Sequence, residues 1–197
     1  MARHSKILTD AQLLRFEEFV LSRHNPIRDT VIINLSFRAG LRVGEMALLR
    51  WVDVMDAEGE IAHDVVQIPS QITKFKRRNR TVPMHPKLRE SLVKLRALRP
   101  TDIYVCNKIY NDDVVDEPIR VNTLTVYIHR MYSLAGFENG SSHSGRGTFI
   151  TKLTRRANVH HCSIKDVQLM VGHARLETTE RYMGPSDDVS KLVFAEL

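Results

Sequence analysis

Apolar residues recur at helical spacing from the start of the chain. Leu13, Leu14, Phe16, Phe19 and Val20 follow Thr9-Asp10-Ala11-Gln12, whose threonine and glutamine are spaced as a capping box, so a first helix is predicted there. A second helix is predicted over about residues 27–39, with Gly40 as its stop, and a short third over 41–49. From Trp51 to Met84 the period changes. Val52 and Val54, then Val65 to Ile68, then Thr81 to Pro83 are short β-branched runs, separated by Glu58-Gly59 and the charged segment from Lys74 to Arg80. They predict a small antiparallel sheet of about three strands. Helical patterning returns over about 86–98, 121–135, 145–157, 164–171 and 176–183. The fold class is α+β, mainly α, in one domain over 1–197 with a flexible N-terminus at 1–8.

Composition narrows the choice of partner. The chain has 29 Lys+Arg against 23 Asp+Glu, a formal net charge of +6, which favours polyanions without requiring them. Cys106 and Cys162 lie far apart with no CxxC pair, so neither a disulfide framework nor a zinc site is suggested; the His160-His161 pair lacks partners at ligand spacing, so no metal is expected. No apolar run reaches membrane-spanning length and no signal peptide opens the chain, so a soluble, cytoplasmic protein is expected. Trp51, Tyr104, Tyr110, Tyr127 and Tyr132 fall at apolar-patterned positions and read as packing.

The chemistry concentrates in the last third. His143-Ser144-Gly145-Arg146 is followed by Gly172-His173 and then by Thr178-Thr179-Glu180-Arg181-Tyr182. A phenol is a weak nucleophile near neutral pH and needs neighbours that take its proton or favour the phenolate. Charge developing on phosphate oxygens needs fixed cationic donors, and the arginine fork matches that geometry. Read singly, each residue has a plainer role. Arg42 pairs with Glu45 three residues on, Lys74 to Arg80 form a solvated hairpin tip, and His173 sits at a helix C-terminus.

Together, the motifs resemble the catalytic domain of the tyrosine recombinases, the phage-integrase family. The resemblance runs through Arg38-Ala39-Gly40-Leu41-Arg42-Val43-Gly44-Glu45, Thr73-Lys74, Arg80-Thr81-Val82-Pro83 and His143 to Phe149, then Gly172-His173 and Arg181-Tyr182. It implies a site-specific recombinase that cuts and rejoins DNA through a 3′-phosphotyrosyl intermediate, without ATP, metal or other cofactor. By resemblance Tyr182 is the nucleophile, Arg42 and Arg146 clamp the phosphate, His143 is an acid/base and hydrogen-bonding group, and His173 hydrogen-bonds the phosphate. Glu45 orients Arg42. Lys74 is the general acid, with Lys76 as its competitor because the hairpin is about a residue longer than usual. Lys76, Arg77, Arg78 and Arg80 are expected to contact DNA. Gly145 and Gly147 depart from the family's larger residues beside Arg146; they would admit the DNA backbone or loosen the helix start. A type IB topoisomerase uses nearly the same residues, and a catalytically silent DNA-binding module is the reading from another class.

The implied partner is double-stranded DNA with inverted-repeat sites, bound by a tetramer assembled from a monomer or weak oligomer. About forty residues precede Arg42, so the chain resembles the short, single-domain fimbrial-switch invertases or a piece of a longer enzyme. After Gly184-Pro185 a last amphipathic segment, within a tail at 185–197, resembles the element that family members pack onto a neighbouring protomer; self-packing is the alternative. Deleting residues from Pro185 onward is expected to leave cleavage of a suicide DNA substrate intact while abolishing exchange between two sites. Normal recombination by the shortened chain would rule out tail exchange.

Overall fold

The computed structural model describes the backbone of residues 5–73, 78–110 and 113–183, and the side chains of these except 109, 110 and 113–116. Lys74, Lys76, Arg77 and the tail at 185–197 lie outside the described residues. The chain, expected as one compact unit, divides into two, Met1–Phe149 and Ile150–Leu197.

In the first unit, α1 (Asp10–Leu21) begins at the expected capping box. Thr9 Oγ1 accepts the Gln12 N–H at 3.2 Å and Gln12 Oε1 accepts the Thr9 N–H at 3.1 Å, satisfying donors that a helix start leaves open. Its inner face carries Leu13, Phe16 and Val20. Phe16 anchors an aromatic cluster: Tyr132 stacks on it at 4.5 Å, and Phe37 and Phe137 meet it edge-on at 6.1 and 5.8 Å. The central helix α2 (Pro26–Phe37) is buried over most of its length. Its polar residues are therefore paired. Asn34 Nδ2 donates to the Lys87 carbonyl and the Ser91 hydroxyl, both at 3.2 Å, which fixes α2 against α4 (Pro86–Leu98). Between them in sequence lies α3 (Val43–Leu48).

The strands differ from expectation. β1 (Val65–Ile68) and β2 (Arg80–Pro83) pair antiparallel, with Val66 opposite Val82 and Ile68 opposite Arg80. The run around Val52 and Val54 forms no strand: Trp51–Asp53 is a 3₁₀ turn. Asp53 Oδ2 accepts the Arg50 N–H at 2.9 Å, and turn bonds at 3.0 Å join Asp53 to Arg50 and Val54 to Trp51. Local side-chain capture of a backbone donor wins there over the ladder. A hairpin that the sequence did not predict, β3 (Asn107–Tyr110) with β4 (Asp113–Pro118), forms a second two-stranded sheet. The three-strand sheet is thus corrected to two hairpins.

α5 (Val121–Leu134) buries Leu124, Ile128, Met131 and Tyr132, and α6 (Ser144–Arg156) follows it. The N-terminal segment expected to be flexible at 1–8 is anchored at its end. Leu8 is buried and its N–H donates to Thr148 Oγ1 at 3.0 Å. Tyr127, read as packing, is instead polar-bonded: its hydroxyl lies 2.6 and 2.7 Å from the two oxygens of buried Asp29. Cys106 is buried, and burial pushes its thiol up to about 12; Cys162, in the second unit, is exposed.

The second unit contains α7 (Ile164–Val171) and α8 (Glu177–Glu180). Ser163 and Asp166 form a reciprocal cap on α7, and Gly172 ends it in the left-handed conformation. The last helix, expected over 176–183, is one turn. Tyr182 and Met183 close it with bonds to Thr179 and Glu180 at 3.0 and 2.9 Å, the tighter i−3 pattern of a helix end. Among the described residues no helix is long and apolar enough to cross a membrane.

Gly145 is where α6 meets α2. A Cβ there would lie 2.3 Å from Ser36 Oγ and 3.1 Å from Phe37 Cδ2. Gly145→Ala is expected to cost about 1–3 kcal/mol by overpacking, read as a lower urea midpoint. Adding Ser36→Gly should recover part of that loss; a single variant as stable as the parent would refute the tight contact.

Candidate active site

In the first unit Arg42, Arg80 and Arg146 lie around one buried acid, Glu45. The turn after α2 reverses at Gly40 (φ +61°), where a Cβ would also strike the Phe149 ring at 2.3 Å, so only glycine fits. Leu41 is buried, and its N–H closes the turn on the Leu35 carbonyl at 3.0 Å. Arg42 then caps α3. Its N–H donates to Glu45 Oε2 at 2.8 Å and its Nη1 to Glu45 Oε1 at 3.0 Å. Glu45 is 1 % exposed, and Arg80 reaches it from β2 with Nη2 2.7 Å from Oε2. Burial alone would raise the Glu45 carboxyl. Arg80, the Arg42 N–H, and the charges of Arg42 and Arg146 outweigh it and hold the carboxyl below its ordinary range.

Arg80 was expected at the DNA surface with its basic neighbours. Its side chain is 7 % exposed and turned inward onto Glu45, so it is part of the support beneath Arg42 rather than a surface contact. The register explains this. Arg80 stands opposite Ile68, whose side chain is buried, and the inner face of the hairpin becomes polar only where Glu45 supplies the counter-charge. Arg78 is exposed.

Arg146 lies in the first turn of α6 and is buried, with Nη1 donating to the Gly40 carbonyl. The Gly40 turn thereby governs both arginines, presenting Arg42 two residues on and anchoring Arg146 through its carbonyl. His143 precedes α6, with an exposed side chain and its N–H 3.3 Å from Ser141 Oγ. Gly145 admits α2, not an external backbone: Ser36 and Phe37 occupy the space its missing Cβ leaves. The first unit therefore brings together Arg42, Glu45, Arg80 and Arg146.

The second unit brings together His173 and Tyr182. Gly172 turns the chain out of α7, and Gln168 Nε2 donates to the His173 carbonyl at 3.0 Å. His173 Nδ1 lies 2.9 Å from the hydroxyl of buried Thr179. That bond fixes the ring and turns its Nε2 edge away from Thr179. The Tyr182 ring stacks on the imidazole at 6.0 Å and 20°. Thr154 Oγ1 lies 3.4 Å from the Tyr182 carbonyl. Thr179 and Gln168 were not singled out from sequence. Thr179 sits three residues before Tyr182, one helical turn away, which is the signal that would have found it.

The sequence profile of the phage integrase family matches residues 6–188. A tyrosine recombinase of Pseudothermotoga lettingae is 28% identical over 180 residues, covering 89% of this chain and 55% of that protein. The tyrosine recombinase XerD of Xanthomonas axonopodis pv. citri is 26% identical over 166 residues, 79% of this chain and 50% of the relative. The chain thus spans about half the length of these curated relatives. Among solved structures, the Tn1549 transposon integrase in complex with a circular intermediate DNA superposes with a TM-score of 0.75 at 16% identity, over 100% of this chain and 67% of that one. XerA recombinase superposes with a TM-score of 0.73 at 22% identity, over 98% and 65%. These last two likenesses are of fold. With the profile matched along nearly its whole length, the chain belongs to the phage integrase family.

Proposed function

We propose that this chain is a site-specific recombinase that cuts and rejoins DNA strands by transesterification at Tyr182. The phenol oxygen attacks the phosphorus, a 3′-phosphotyrosyl bond forms and the bond to the 5′ oxygen breaks. The phenol gives up its proton and the departing oxygen gains one. Attack by the 5′ hydroxyl of another strand reverses the step, so the bond energy is kept and no ATP is consumed. Arg42 and Arg146 donate to the non-bridging oxygens, His143 and His173 add hydrogen bonds, and Lys74, with Lys76 as its competitor, protonates the leaving oxygen. Arg78, with Lys76 and Arg77, contributes sequence-independent phosphate contacts. The partner is duplex DNA carrying inverted repeats, with a tetramer as the working assembly.

The observation that carries this reading is the fixed guanidinium of Arg42. A buried carboxylate tied to Arg42 at both side chain and backbone holds the fork before any phosphate arrives. Donors fixed in advance need no reorganisation as charge develops on the phosphate. His173 is prepared similarly. For Nε2 to donate to a phosphate oxygen, either Nδ1 accepts the Thr179 hydroxyl hydrogen or the ring is cationic. Its stacking with Tyr182 places an imidazole beside the phenol that must lose a proton.

Incubation with a suicide duplex, drawn from the repeats flanking the gene, should yield a covalent protein–DNA band on a denaturing gel. Tyr182→Phe should lose that band and keep DNA binding, and Arg146→Gln should slow its appearance about 10²–10³-fold. No band from the unaltered chain would favour a silent binding module, and a band surviving Tyr182→Phe would move the nucleophile elsewhere. Exchange between two sites separates a recombinase from a relaxing topoisomerase.

Glu45→Gln keeps the shape but strands the buried charge of Arg80. It should slow adduct formation and cost about 3–5 kcal/mol of stability in urea, as when one partner of a buried pair is removed. The pH dependence follows from the depressed carboxyl. Its stabilising contribution is full above the ordinary value of 4.5 and is lost as pH falls through the lower folded value. The stability gap between the unaltered chain and Glu45→Gln should therefore close below about pH 4.5. A gap constant down to pH 2 would show that the charge of Glu45 contributes nothing.

A further inference from the structure

Thr179 holds both groups of the second unit's candidate site. Its carbonyl accepts the Tyr182 N–H at 3.0 Å, and its hydroxyl lies 2.9 Å from His173 Nδ1. Thr178 beside it is exposed, whereas Thr179 is 0 % exposed. The His173 backbone is held separately, at the end of α7. Its N–H donates to the Gln168 carbonyl at 3.1 Å, and its own carbonyl accepts from Gln168 Nε2 at 3.0 Å. With the main chain pinned there, the direction of the ring is set by Thr179.

Counting hydrogens decides which way that bond runs. A threonine hydroxyl has one hydrogen to give and two lone pairs that accept. Among the described residues, His173 Nδ1 is the one hydrogen-bond partner of the Thr179 hydroxyl. A hydrogen on Nδ1, in the other neutral tautomer or in the imidazolium, would have to be donated to Oγ1. The hydroxyl hydrogen would then be buried without an acceptor, at the full desolvation cost of that group. When the hydroxyl donates instead, every hydrogen at the contact is paired. Nδ1 is then the acceptor, and the hydrogen of the neutral ring sits on Nε2, the edge turned away from Thr179.

We propose that Thr179 is a positioning residue that selects the Nε2–H tautomer of His173 and aims that N–H as a donor. The proposal rests on the reading of His173 as a group that hydrogen-bonds the phosphate. Buried as it is, Thr179 acts on the phosphate only through the ring. A donor set in advance needs neither rotation nor a change of tautomer as charge develops on the phosphate oxygens.

The nitrogen resonances of histidine test the bond without DNA. In the full chain carrying nitrogen-15 histidine, at mildly alkaline pH, His173 should show a bare Nδ1 and a protonated Nε2. Its signals are identified by their loss in His173→Gln. A hydrogen on Nδ1 under these conditions overturns the proposal. Adduct formation on saturating suicide duplex tests the consequence. Thr179→Val keeps the branched shape and removes the hydroxyl. It should slow the adduct about tenfold, the worth of one hydrogen bond, and leave duplex affinity unchanged. Thr179→Ser should restore the rate, and Thr178→Val, altered at an exposed position, should match the parent. A Thr179→Val chain that forms adduct at the parent rate also overturns the proposal, whatever its stability in urea. Absence of adduct from the unaltered chain defeats the recombinase reading instead, and the nitrogen spectrum then decides the tautomer by itself.

Discussion

One carboxylate with no access to water sets the order of the first unit's cationic cluster. Glu45 is desolvated, and a lone ion there would be costly enough to neutralise itself. It stays charged because a strand and a helix start both deliver cations to it, Arg80 from β2 and Arg42 from the cap of α3. The dependence runs both ways. β2 can turn Arg80 inward only because the acid is present, and the fork of Arg42 is directional only because two of its groups are held. Buried pairs of this kind add little net stability, yet losing one member is expensive. Specific geometry is what such a pair contributes.

Small residues let the backbone come close enough for this arrangement to close. Gly145 allows α6 to lie against Ser36 at the end of α2, and Gly40 lets the chain turn where its carbonyl meets Arg146. Backbone positions therefore place the arginines as much as side-chain partners do.

Much of this was legible in the sequence because its causes are local. The capping box at Thr9, the Gly40 stop and the period of α4 and α5 each act within a turn or two of chain, and the structure has them where the pattern put them. The misses are cases where a distant partner or a competing local bond decided the outcome. Val52 and Val54 have strand-forming side chains, but Asp53 captures the Arg50 N–H first. The hairpin of β3 and β4 has no clear alternation, since Asn107, Lys108 and Asp113 interrupt it. Arg80 looked like one of several surface cations because its acid lies 35 positions earlier in the chain. Tyr127 read as packing because Asp29, 98 positions away, is what engages its hydroxyl.

The two cysteines have environments so different that they separate the units chemically. The Cys106 sulfur is enclosed and its thiol is held up to about 12, so almost none is thiolate at neutral pH, whereas Cys162 faces solvent beyond the end of α6. A maleimide dye added to the folded chain should attach at one position only, without mutagenesis. That position belongs to the unit bearing Tyr182, so a dye carried there reports on that unit and not on the one bearing Arg42 and Glu45.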